Sequence, residues 1–486
     1  AKASNLIFSI ENENISSKYE VSKPLVSIVI LNWNKSITTA QCISCIHEYT
    51  SDVLFEIVIV DNGSTHSQFI ELQKYCGKKA KIIRLSSNKF FGEANNIGVE
   101  EAAGEFVMLL NNDAFVTPNW LKPLLKEFEE DDEMGLVGPK FLFPDGKLQE
   151  AGGIMSACGQ GIQIGKFLNP DSPAFQIKRE VDYCSAAAVL CRRTDYLQVL
   201  GFDLIYEPAY YEDGDFCMKI KKLGKKILYQ PQSSVYHIEN HTSKDENIGF
   251  SFNSLVAINK LKFVNRWSEF IASGHPVDKE SAIELKVFER EKTKKPIAVL
   301  YSPYNVMPGG GEKYLLTLGE TLTESYDVYF STPEKISQLR LLTVGRELNI
   351  NVRDIMPIAY DQALKLEIAL FVVMGNEIFP SVPAVGKKNI YHCQFPFAIQ
   401  PGQENNIKYF NDYDKLIVNS EFTRSHIYEQ MKFFDLPQTP VEILYPPIDE
   451  IEYSAPRSTE DSVHIINVGR FFTGGHQKRQ DVIIEA

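Results

Sequence analysis

The chain has 486 residues, with 50 Lys and Arg against 63 Asp and Glu, so its formal net charge is −13. This acidic balance argues against a general nucleic-acid-binding protein, which needs a basic face. Hydrophobic residues make up 44% and charged residues 23%, which is an ordinary globular composition, and the length predicts two to four domains. No apolar run is long enough to span a bilayer, and no signal-peptide pattern opens the chain.

The first elements predict an α/β domain with a mostly parallel sheet. Residues 1 to 23 read as a polar arm, and strands are predicted at 24–31, 55–60 and 81–85 and in the run that ends at Asn111. Helices are predicted over about 38–49 and 93–103, so strands and helices alternate as in parallel sheets. Cys42 and Cys45 form a C-x-x-C within the first helix, which we interpret as packing, because free Cys readily packs in cores. The eight dispersed Cys favour a reducing cytosol.

Polar clusters follow three of these strands directly. They are Asn32-Trp33-Asn34, Asp61-Asn62-Gly63-Ser64 and Asn111-Asn112-Asp113. One such cluster alone is more often a turn. Ligands of parallel α/β sheets lie outside the carboxyl ends of the strands, so three clusters at that edge predict a binding site.

An acidic cluster follows later in the first domain. Glu212, Asp213 and Asp215 lie among aromatic residues in EPAYYEDGDFC, and His237 ends the stretch SSVYH. Such clusters are usually solvated surface, but a partly desolvated cleft raises a carboxylate pKa towards general-base duty. His237 is either a core histidine or, with Asp113, part of a mixed carboxylate and imidazole site that suits Mn²⁺ or Mg²⁺ on a diphosphate.

These motifs together resemble family-2 glycosyltransferases of the GT-A fold. The resemblance runs from about residue 25 to 261 and is carried, in order, by VSIVILNWN, IVIVDNGST, NKFFGEANNIGVEEAAGEFVMLLNNDAFVTP, GFD, YYEDGDFCMKIKKLGKKI and VYH. The subgroup with LNWN and LLNND-type motifs looks like bacterial polysaccharide glycosyltransferases, many of them rhamnosyltransferases. We therefore expect a GT-A domain over residues 24–275.

The resemblance implies a role for each matching residue. Asp213 would be the general base, Asp113 and His237 the metal ligands, and Tyr210, Tyr211 and Glu212 the acceptor side, although plain packing is equally open for the tyrosine pair. The implied donor-binding residues are Asn32, Asn34, Asp61, Ser64, Asn88, Gly92, Asn95, Asn111 and Asn112. Asn111 stands where the family's D-x-D motif begins with Asp, so the site has one negative charge fewer and metal affinity is in doubt.

The second half of the chain resembles a different family. A charged stretch, 276–295, predicts a linker helix, and a new α/β pattern begins after Pro296, with strands predicted at 297–301, 327–330, 368–373, 389–391, 415–418 and 463–468. The segments that carry the resemblance to family-4 glycosyltransferases of the GT-B fold are IAVLYSPYNVMPGGGEKYLLTLGETL, YHCQFP, YDKLIVNSEFTRSHI, VEILYPPID and INVGRFFTGGHQKRQDVIIEA.

That resemblance implies a Rossmann-like GT-B amino-terminal domain over 296–460 and the start of a donor domain over 461–486. Gly310 and Gly311 at a helix start, with Arg470 and Lys478, would contact donor phosphates. The family's Glu pair is absent from the chain, so the second module as given would be inactive, and the chain's ending inside a unit suggests that further sequence has been cut off. The intact protein would be bifunctional.

The expected function is an inverting, metal-dependent transfer of sugar from a nucleotide-diphosphate donor, either dTDP-rhamnose or a UDP-hexose. The expected acceptor is a lipid-linked or oligosaccharide part of a bacterial surface glycan, as in O-antigen and other polysaccharide biosynthesis. This would place a cytoplasmic enzyme at the inner membrane as a peripheral protein. Two alternatives stay open: a non-catalytic nucleotide-sugar or glycan binding module, and a second domain that serves as a scaffold.

Overall fold

The computed structural model describes residues 25–238, 252–278, 280, 282–288, 295–397, 404–436 and 439–447. The described residues up to Pro446 belong to one compact unit, here called the first unit. The expected arm at 1–23 and the expected start of a donor domain at 461–486 lie outside the described residues. The first unit contains two large sheets, which define a first and a second module.

The first module is a mixed α/β fold. Its strands are β1 Val26–Asn32, β2 Phe55–Asn62, β3 Lys81–Leu85, β4 Phe106–Asn111, β5 Ala114–Val116, β6 Met134–Leu142, β7 Leu148–Glu150, β8 Gly153–Met155, β9 Gly161–Gln163, β10 Arg179–Glu180, β11 Ala188–Arg192 and β12 Lys226–His237. Its helices are α1 Ser36–Tyr49, α2 His66–Cys76, α3 Phe90–Glu100, α4 Lys122–Glu130, α5 Arg193–Gln198, α6 Glu212–Lys222 and α7 Phe252–Ala272.

The sheet of the first module is parallel on one side and mixed on the other. Its order is β10-β12-β6-β11-β4-β1-β2-β3, and β1 to β4 pair in parallel as the sequence predicted. β11 lies antiparallel between β4 and β6. β1 and β4 are buried on both faces, which explains their unbroken apolar runs. The parallel strands end together at the edge that carries the three predicted polar clusters.

The second module is an all-parallel α/β fold in the part of it that the structure describes. Its strands are β13 Ile297–Tyr301, β14 Asp327–Thr332, β15 Ile355–Ala359, β16 Ile368–Glu377, β17 Lys388–Phe397, β18 Lys415–Val418 and β19 Val441–Ile443, and its helices are α8 Gly310–Leu322, α9 Gln338–Glu347, α10 Tyr360–Ala363 and α11 Glu421–Phe433. The strand order is β15-β14-β13-β16-β17-β18-β19. The predicted strand at 463–468 lies outside the described residues.

The prediction of a linker helix over 276–295 is wrong for the described part of that segment. Residues 276–278 and 282–284 are not helical, and the described helical residues, residue 280 and Leu285–Phe288, are 3₁₀. The segment binds the first module instead: the Asp278 amide donates to the Lys222 carbonyl at 2.7 Å and the Ile283 amide to the Gln198 carbonyl at 2.8 Å. These backbone bonds replace the bonds that a helix would make within itself.

Buried apolar side chains run continuously from one module to the other. One cluster includes Leu197 and Phe202 of the first module together with Leu300, Leu315 and Leu339 of the second. The two modules therefore share a core. No helix in the described parts of the chain is long and apolar enough to cross a membrane.

The cysteine pair of α1 is part of the fold's packing. The Cys42 thiol is fully buried and donates to the Ala114 carbonyl at 3.3 Å, while Cys45 packs against the same core from a half-buried position. Burial raises the pKa of the Cys42 thiol far above its ordinary value. A thiol held protonated is a poor nucleophile and metal ligand, so the packing interpretation is supported.

Candidate active site

The ends of β1 and β2 form a hydrogen-bonded pair of polar loops. The Asn32 amide donates to Asp61 Oδ1 at 2.9 Å and to Ser64 Oγ at 3.2 Å, and the Asn34 backbone amide donates to the same Ser64 hydroxyl at 2.9 Å. Asn34 has a left-handed backbone, with φ of 53°, and its side-chain oxygen accepts from the Thr65 amide. Asn32, Asn34, Asp61 and Ser64 are thus brought together.

Asp61 retains unused bonding capacity in this pair of loops. Its side chain is fully buried, and Oδ2 has no hydrogen-bond partner; the nearest cation is Arg84, whose Nε lies 3.9 Å away. A buried acceptor without a partner costs free energy, about 1–3 kcal/mol. The arrangement therefore suits a ligand that donates a hydrogen bond, such as a base N–H or a ribose hydroxyl.

The stretch Asn111-Asn112-Asp113 continues this polar edge from β4. The Asn112 amide donates to Thr39 Oγ1 at 3.0 Å, and Thr39 Oγ1 donates to Asn32 Oδ1 at 2.8 Å. The Asn111 backbone amide donates to the Ala187 carbonyl at 2.9 Å. Asn112 is therefore tied into the amide network of Asn32, and the chain then turns at Asp113 into β5.

Strand pairing brings Asp113 and His237 together. β5 pairs antiparallel with the end of β12, so that Ala114 faces His237 across the ladder. The Ile238 amide donates to the Asp113 carbonyl at 3.1 Å, which closes the pairing. As a result, His237 Nε2 lies 3.4 Å from Asp113 Oδ1. The two predicted metal ligands are 124 positions apart in the chain, yet they meet at one point of the sheet edge.

Gln149, on β7, sets the orientation of the His237 ring. Its side-chain oxygen lies 3.1 Å from His237 Nδ1, while Nε2 is the ring nitrogen next to the Asp113 carboxylate. A carboxylate oxygen and an imidazole nitrogen are both common metal ligands, and an outer partner on the other ring nitrogen is typical of metal-binding histidines.

The Asp113 and His237 pair fits a metal that is held jointly with a substrate. Within the described residues, no group of three or more His, Cys, Asp or Glu side chains is placed to hold a metal ion. Mg²⁺ is commonly bound by one or two protein groups together with substrate phosphates and waters. The two groups therefore fit a metal carried by a nucleoside diphosphate, and not a closed structural site.

Asp213 and Glu212 lie in the first turn of α6. Asp213 Oδ1 accepts from the Gly214 amide at 2.8 Å. Burial raises the pKa of Asp213, and burial together with the Asp213 charge raises the pKa of Glu212 to about 8. Glu212 Oε2 has no hydrogen-bond partner. Proton affinity raised by desolvation is the property that a general base needs near neutral pH.

The third acid of the predicted cluster has a structural position. Asp215 is fully buried, and its Oδ1 accepts from Trp267 Nε1 at 2.8 Å, Arg266 Nη1 at 3.0 Å and the Tyr206 hydroxyl at 3.2 Å. Arg266 also pairs with Asp203 at 2.8 Å. The carboxylate therefore holds α6 against α7.

Glu150 is a fourth acid that the sequence analysis did not single out. Its side chain is 2% exposed, and it accepts from the Ser185 amide at 3.2 Å and from Gln163 Nε2 at 3.0 Å. Burial raises the pKa of Glu150 to about 7, with the nearby Asp213 charge adding to the rise. No sequence pattern marks Glu150, because β7 is only three residues long.

The two predicted acceptor-side tyrosines adopt unusual backbone conformations. Tyr210 and Tyr211 have φ of 77° and 74°, in the left-handed region that non-glycine residues seldom adopt. The Tyr211 hydroxyl donates to the Gly159 carbonyl at 2.9 Å, and its ring lies 5.4 Å from that of Phe263. Tyr211 therefore packs within the module, which supports the packing alternative for this residue.

The predicted donor residues Asn88, Gly92 and Asn95 lie in the loop after β3 and in α3. Asn88 Oδ1 accepts from Asn62 Nδ2 at 3.0 Å and from the Phe90 amide at 2.8 Å. A Cβ on Gly92 would lie 3.1 Å from Phe202 Cβ, and the Asn95 amide donates to the Phe91 carbonyl at 3.0 Å. These contacts shape α3 and its entry; a donor role for the three residues stays a prediction.

In the second module, Gly310 and Gly311 begin α8. A Cβ on Gly311 would lie 2.8 Å from Gln394 Oε1, so a side chain at this position would crowd β17. His392, also on β17, is 2% exposed; neither ring nitrogen has a hydrogen-bond partner, and its ring stacks on Tyr314 of α8 at 4.0 Å. Burial lowers the pKa of His392 to about 3. Arg470 and Lys478 lie outside the described residues.

Comparison with known proteins identifies a family over part of the first module. Residues 27–198 match the family described as Glycosyl transferase family 2, which takes in Asn32, Asp61, Asp113 and Glu150. Residues 27–198 form a family-2 glycosyltransferase domain. The matched range ends before Asp213 and His237, so their assignment depends on the geometry above.

Two relatives each align over 46% of this chain. They are an uncharacterised protein of Sinorhizobium fredii, 25% identical over 46% of this chain and 25% of the relative, and the O-antigen biosynthesis protein RfbC of Myxococcus xanthus, 25% identical over 46% of this chain and 18% of the relative. The chain thus spans a quarter or less of these two proteins.

A third relative is matched over a larger share of its own length. It is an N-acetylglucosaminyl-diphospho-decaprenol L-rhamnosyltransferase of Mycobacterium tuberculosis, 27% identical over 38% of this chain and 67% of the relative. The named relatives of the domain thus include a glycosyltransferase and a protein of O-antigen biosynthesis.

Proposed function

We propose that the first module is an inverting, metal-dependent glycosyltransferase of the GT-A type that transfers a sugar from a nucleotide-diphosphate donor. The observation that carries the proposal is the meeting of Asp113 Oδ1 and His237 Nε2 at 3.4 Å, with Gln149 bonded to the other ring nitrogen of His237. Asp113 and His237 would hold Mn²⁺ or Mg²⁺. When bound, the metal offsets the charge that builds on the leaving diphosphate.

The donor would lie along the polar edge of the sheet. Asp61 Oδ2, buried and without a partner, would accept from the nucleoside, while Ser64 and Asn34 shape the same pocket. Asn111 and Asn112 would line the diphosphate side as neutral donors. With Asn in place of Asp at residue 111, the metal would be held by fewer protein charges and more by the diphosphate.

Asp213 would be the general base. An acceptor hydroxyl oxygen attacks the anomeric carbon, the bond from that carbon to the diphosphate oxygen breaks, and the hydroxyl proton passes to Asp213. A single displacement of this kind inverts the anomeric configuration. Burial raises the pKa of Asp213, and the nearby Glu150 and Glu212 place it in a strongly acidic setting, so its carboxylate is a better proton acceptor than an exposed one. Tyr210 and Glu212 would border the acceptor.

The relatives guide the choice of donor and acceptor. The mycobacterial relative is named as a rhamnosyltransferase acting on a diphospho-polyprenol sugar, and the Myxococcus relative as an O-antigen biosynthesis protein. We therefore propose dTDP-rhamnose or a UDP-hexose as donor and a lipid-linked or oligosaccharide surface glycan as acceptor. A lipid-linked acceptor would bring the enzyme to the cytoplasmic face of the membrane as a peripheral protein.

The second module would be the amino-terminal part of a GT-B glycosyltransferase in a bifunctional protein. The Gly310-Gly311 start of α8 lies beside His392, whose ring nitrogens are buried without partners, and an anion at the helix start would suit both features. Arg470 and Lys478 would supply cations for the same phosphates.

The test is a donor-hydrolysis screen on the whole chain. The protein is incubated with Mn²⁺ or Mg²⁺ and a panel of dTDP-rhamnose and UDP-hexoses, and the released nucleotide is measured. We expect release from one donor, with a loss of about 10²–10⁴-fold in Asp213→Asn, since this is the range for removing a general base. Asp113→Asn should abolish the metal dependence of binding and turnover.

Asp145→Asn is the control, because Asp145 is an exposed loop carboxylate that pairs only locally with Lys147. Turnover retained in Asp213→Asn would remove Asp213 as the base. Metal-dependent binding of a donor without turnover, in the presence of sugar and lipid-linked acceptors, would instead support the non-catalytic binding module.

A further inference from the structure

The segment before α6 has a conformation that needs support from its surroundings. Residues 203–211 lead to Glu212 and Asp213, and this loop, here called the acceptor loop, ends in the two left-handed residues Tyr210 and Tyr211. Each such backbone conformation costs free energy and persists only where neighbouring groups hold it. The contacts of the acceptor loop therefore decide where the acids of α6 lie.

The first support comes from α7 of the same module. Asn259 is fully buried, and its side-chain amide donates to the carbonyls of Tyr206 and Ala209, both at 2.8 Å, and of Tyr210 at 3.1 Å. Lys262 fixes Asn259 by donating to its side-chain oxygen at 2.9 Å. This network holds the backbone of the loop from one side.

The second support comes from the other module. Arg340 of α9 is 7% exposed. Its two terminal guanidinium nitrogens donate to the Glu207 carboxylate, Nη1 to Oε1 at 2.6 Å and Nη2 to Oε2 at 3.4 Å. Arg340 Nε donates to the Val306 carbonyl at 2.9 Å, which fixes the guanidinium plane. A forked arginine–carboxylate contact gives orientation as well as attraction.

Arg340 is itself held against the donor side of the first module. Ser337, the N-cap of α9, bonds Glu93 of α3 through its amide at 2.8 Å and its hydroxyl at 2.9 Å, and the Ser337 hydroxyl accepts from the Arg340 amide at 2.9 Å. A cavity of about 330 Å³ beside the Glu207–Arg340 pair is lined on its other side by Asn88. One helix start of the second module thus contacts both the loop that precedes Asp213 and the helix that follows Asn88.

We propose that Arg340 is a positioning residue for sugar transfer, because it holds the acceptor loop of the first module through Glu207. Glu207 lies six positions before Asp213, so the second module completes the active site of the first. This inference depends on the proposed function for the role of Asp213, but not for the contact itself. The two modules then act as one enzyme, whatever the second module does on its own.

The test compares full-length Arg340→Gln, Arg340→Lys and Glu207→Gln with Lys335→Gln. Lys335 is the matched control: it pairs with Glu101 at 2.6 Å across the same contact between modules but touches no residue of the acceptor loop. Two quantities are measured, namely hydrogen exchange of the amides of residues 203–213 and metal-dependent donor hydrolysis with the donor identified in the screen.

We expect faster exchange of the acceptor loop in Arg340→Gln and Glu207→Gln, with kcat lowered about tenfold and donor KM unchanged, since small displacements of reacting groups cost this much or more. The double variant Glu207→Gln/Arg340→Gln should be no worse than either single variant, because both remove one interaction. Arg340→Lys, which keeps the charge, should recover part of the rate.

Unchanged exchange and unchanged kcat in Arg340→Gln would overturn the proposal, and so would an equal loss in Lys335→Gln, which would reflect a general weakening of the contact between modules. If Asp213→Asn remained active, the proposed base would be wrong, yet the exchange measurement would still decide whether Arg340 holds the loop. The two failures are therefore distinguishable.

Discussion

Two groups of buried and half-buried carboxylates in this protein have different partners. Glu150, Glu212 and Asp213 are the pocket acids of the candidate active site, and Glu93, Glu100 and Glu101 are the contact acids, on α3 and at its end, facing the second module. Burial raises the pKa of Glu100 to about 8 and of Glu150 to about 7, so a raised pKa alone does not separate the groups.

The difference lies in the cations. Glu93 faces Arg340, and Glu101 pairs with Lys81 at 2.8 Å and Lys335 at 2.6 Å. The pocket acids bond only neutral donors, and in the described part of the chain no Lys or Arg ion pair reaches them. A carboxylate whose charge is compensated stabilises a contact, whereas one whose charge is not compensated remains available for a proton or a substrate.

Removing a contact acid should give the largest loss of stability. Glu93→Ala leaves the Ser337 amide and hydroxyl without their acceptor and removes a counter-charge of Arg340. We expect a loss of about 3 kcal/mol, in the range for a broken buried charged network. Thermal unfolding measures it, with Glu93→Gln as a milder variant that retains one acceptor. A melting temperature equal to that of the unmodified protein would show that α3 does not depend on α9.

Substituting Gln149, which bonds His237 of the Asp113–His237 pair, should weaken metal binding without affecting folding. Gln149→Leu removes the acceptor that orients His237 and keeps a side chain of similar volume. We expect Mn²⁺ affinity, measured by calorimetry with UDP or dTDP present, to fall about 10–100-fold, the usual effect of losing an outer-shell partner. Gln230→Leu is the control, because Gln230 is a buried glutamine of β12 that bonds Glu127 instead. Equal metal affinities would remove Gln149 from this role.

The residues changed in these two variants show which parts of the site the sequence could predict and which it could not. The polar ends of β1, β2 and β4 were predictable because apolar runs that end in Asn and Asp are local patterns. Gln149 and Glu150 were not, since their roles arise from a three-residue strand that pairs with β6 far from the motifs. The same holds for Glu93 and Arg340, which meet only when the modules pack, and for the linker, whose charged pattern suggested a helix that backbone bonds to α5 and α6 replace.

Neutralising a pocket acid should stabilise the protein in a pH-dependent way. The pKa of Glu212 is about 8 in the folded protein, above its ordinary value, so the folded state retains a proton that the unfolded state loses. The stability linked to that proton is present at low pH and declines as pH rises from about 4.5 to about 8. The stability of Glu212→Gln should not show this decline, because glutamine does not titrate.

We expect Glu212→Gln to melt like the unmodified protein near pH 5 and to gain about 1–2 kcal/mol near pH 8, less than the full shift implies because the side chain is partly exposed. Melting temperatures across this pH range measure the gain. If the stability gained by Glu212→Gln did not change with pH, the gain would come from packing. The pocket acids and the contact acids would then not differ in how their charges are compensated.

The smallest loss of stability should come from changing Glu101, the contact acid that forms ion pairs with Lys81 and Lys335. Although burial opposes it, the bonds to Lys335 and Lys81 lower the pKa of Glu101 to about 2, so any stabilisation is present at neutral pH and is lost as pH falls towards 2. The side chain is 34% exposed, and water screens both pairs. Glu101→Gln should therefore cost less than about 1 kcal/mol of stability at pH 7, as the loss of exposed pairs usually does.

A loss of stability as large as that of Glu93→Ala would mean that ion pairing, and not burial with saturated hydrogen bonds, holds the modules together. High salt would then weaken the contact strongly, whereas a contact dominated by the buried Glu93 network should change little between low and high salt, because buried pairs are screened much less.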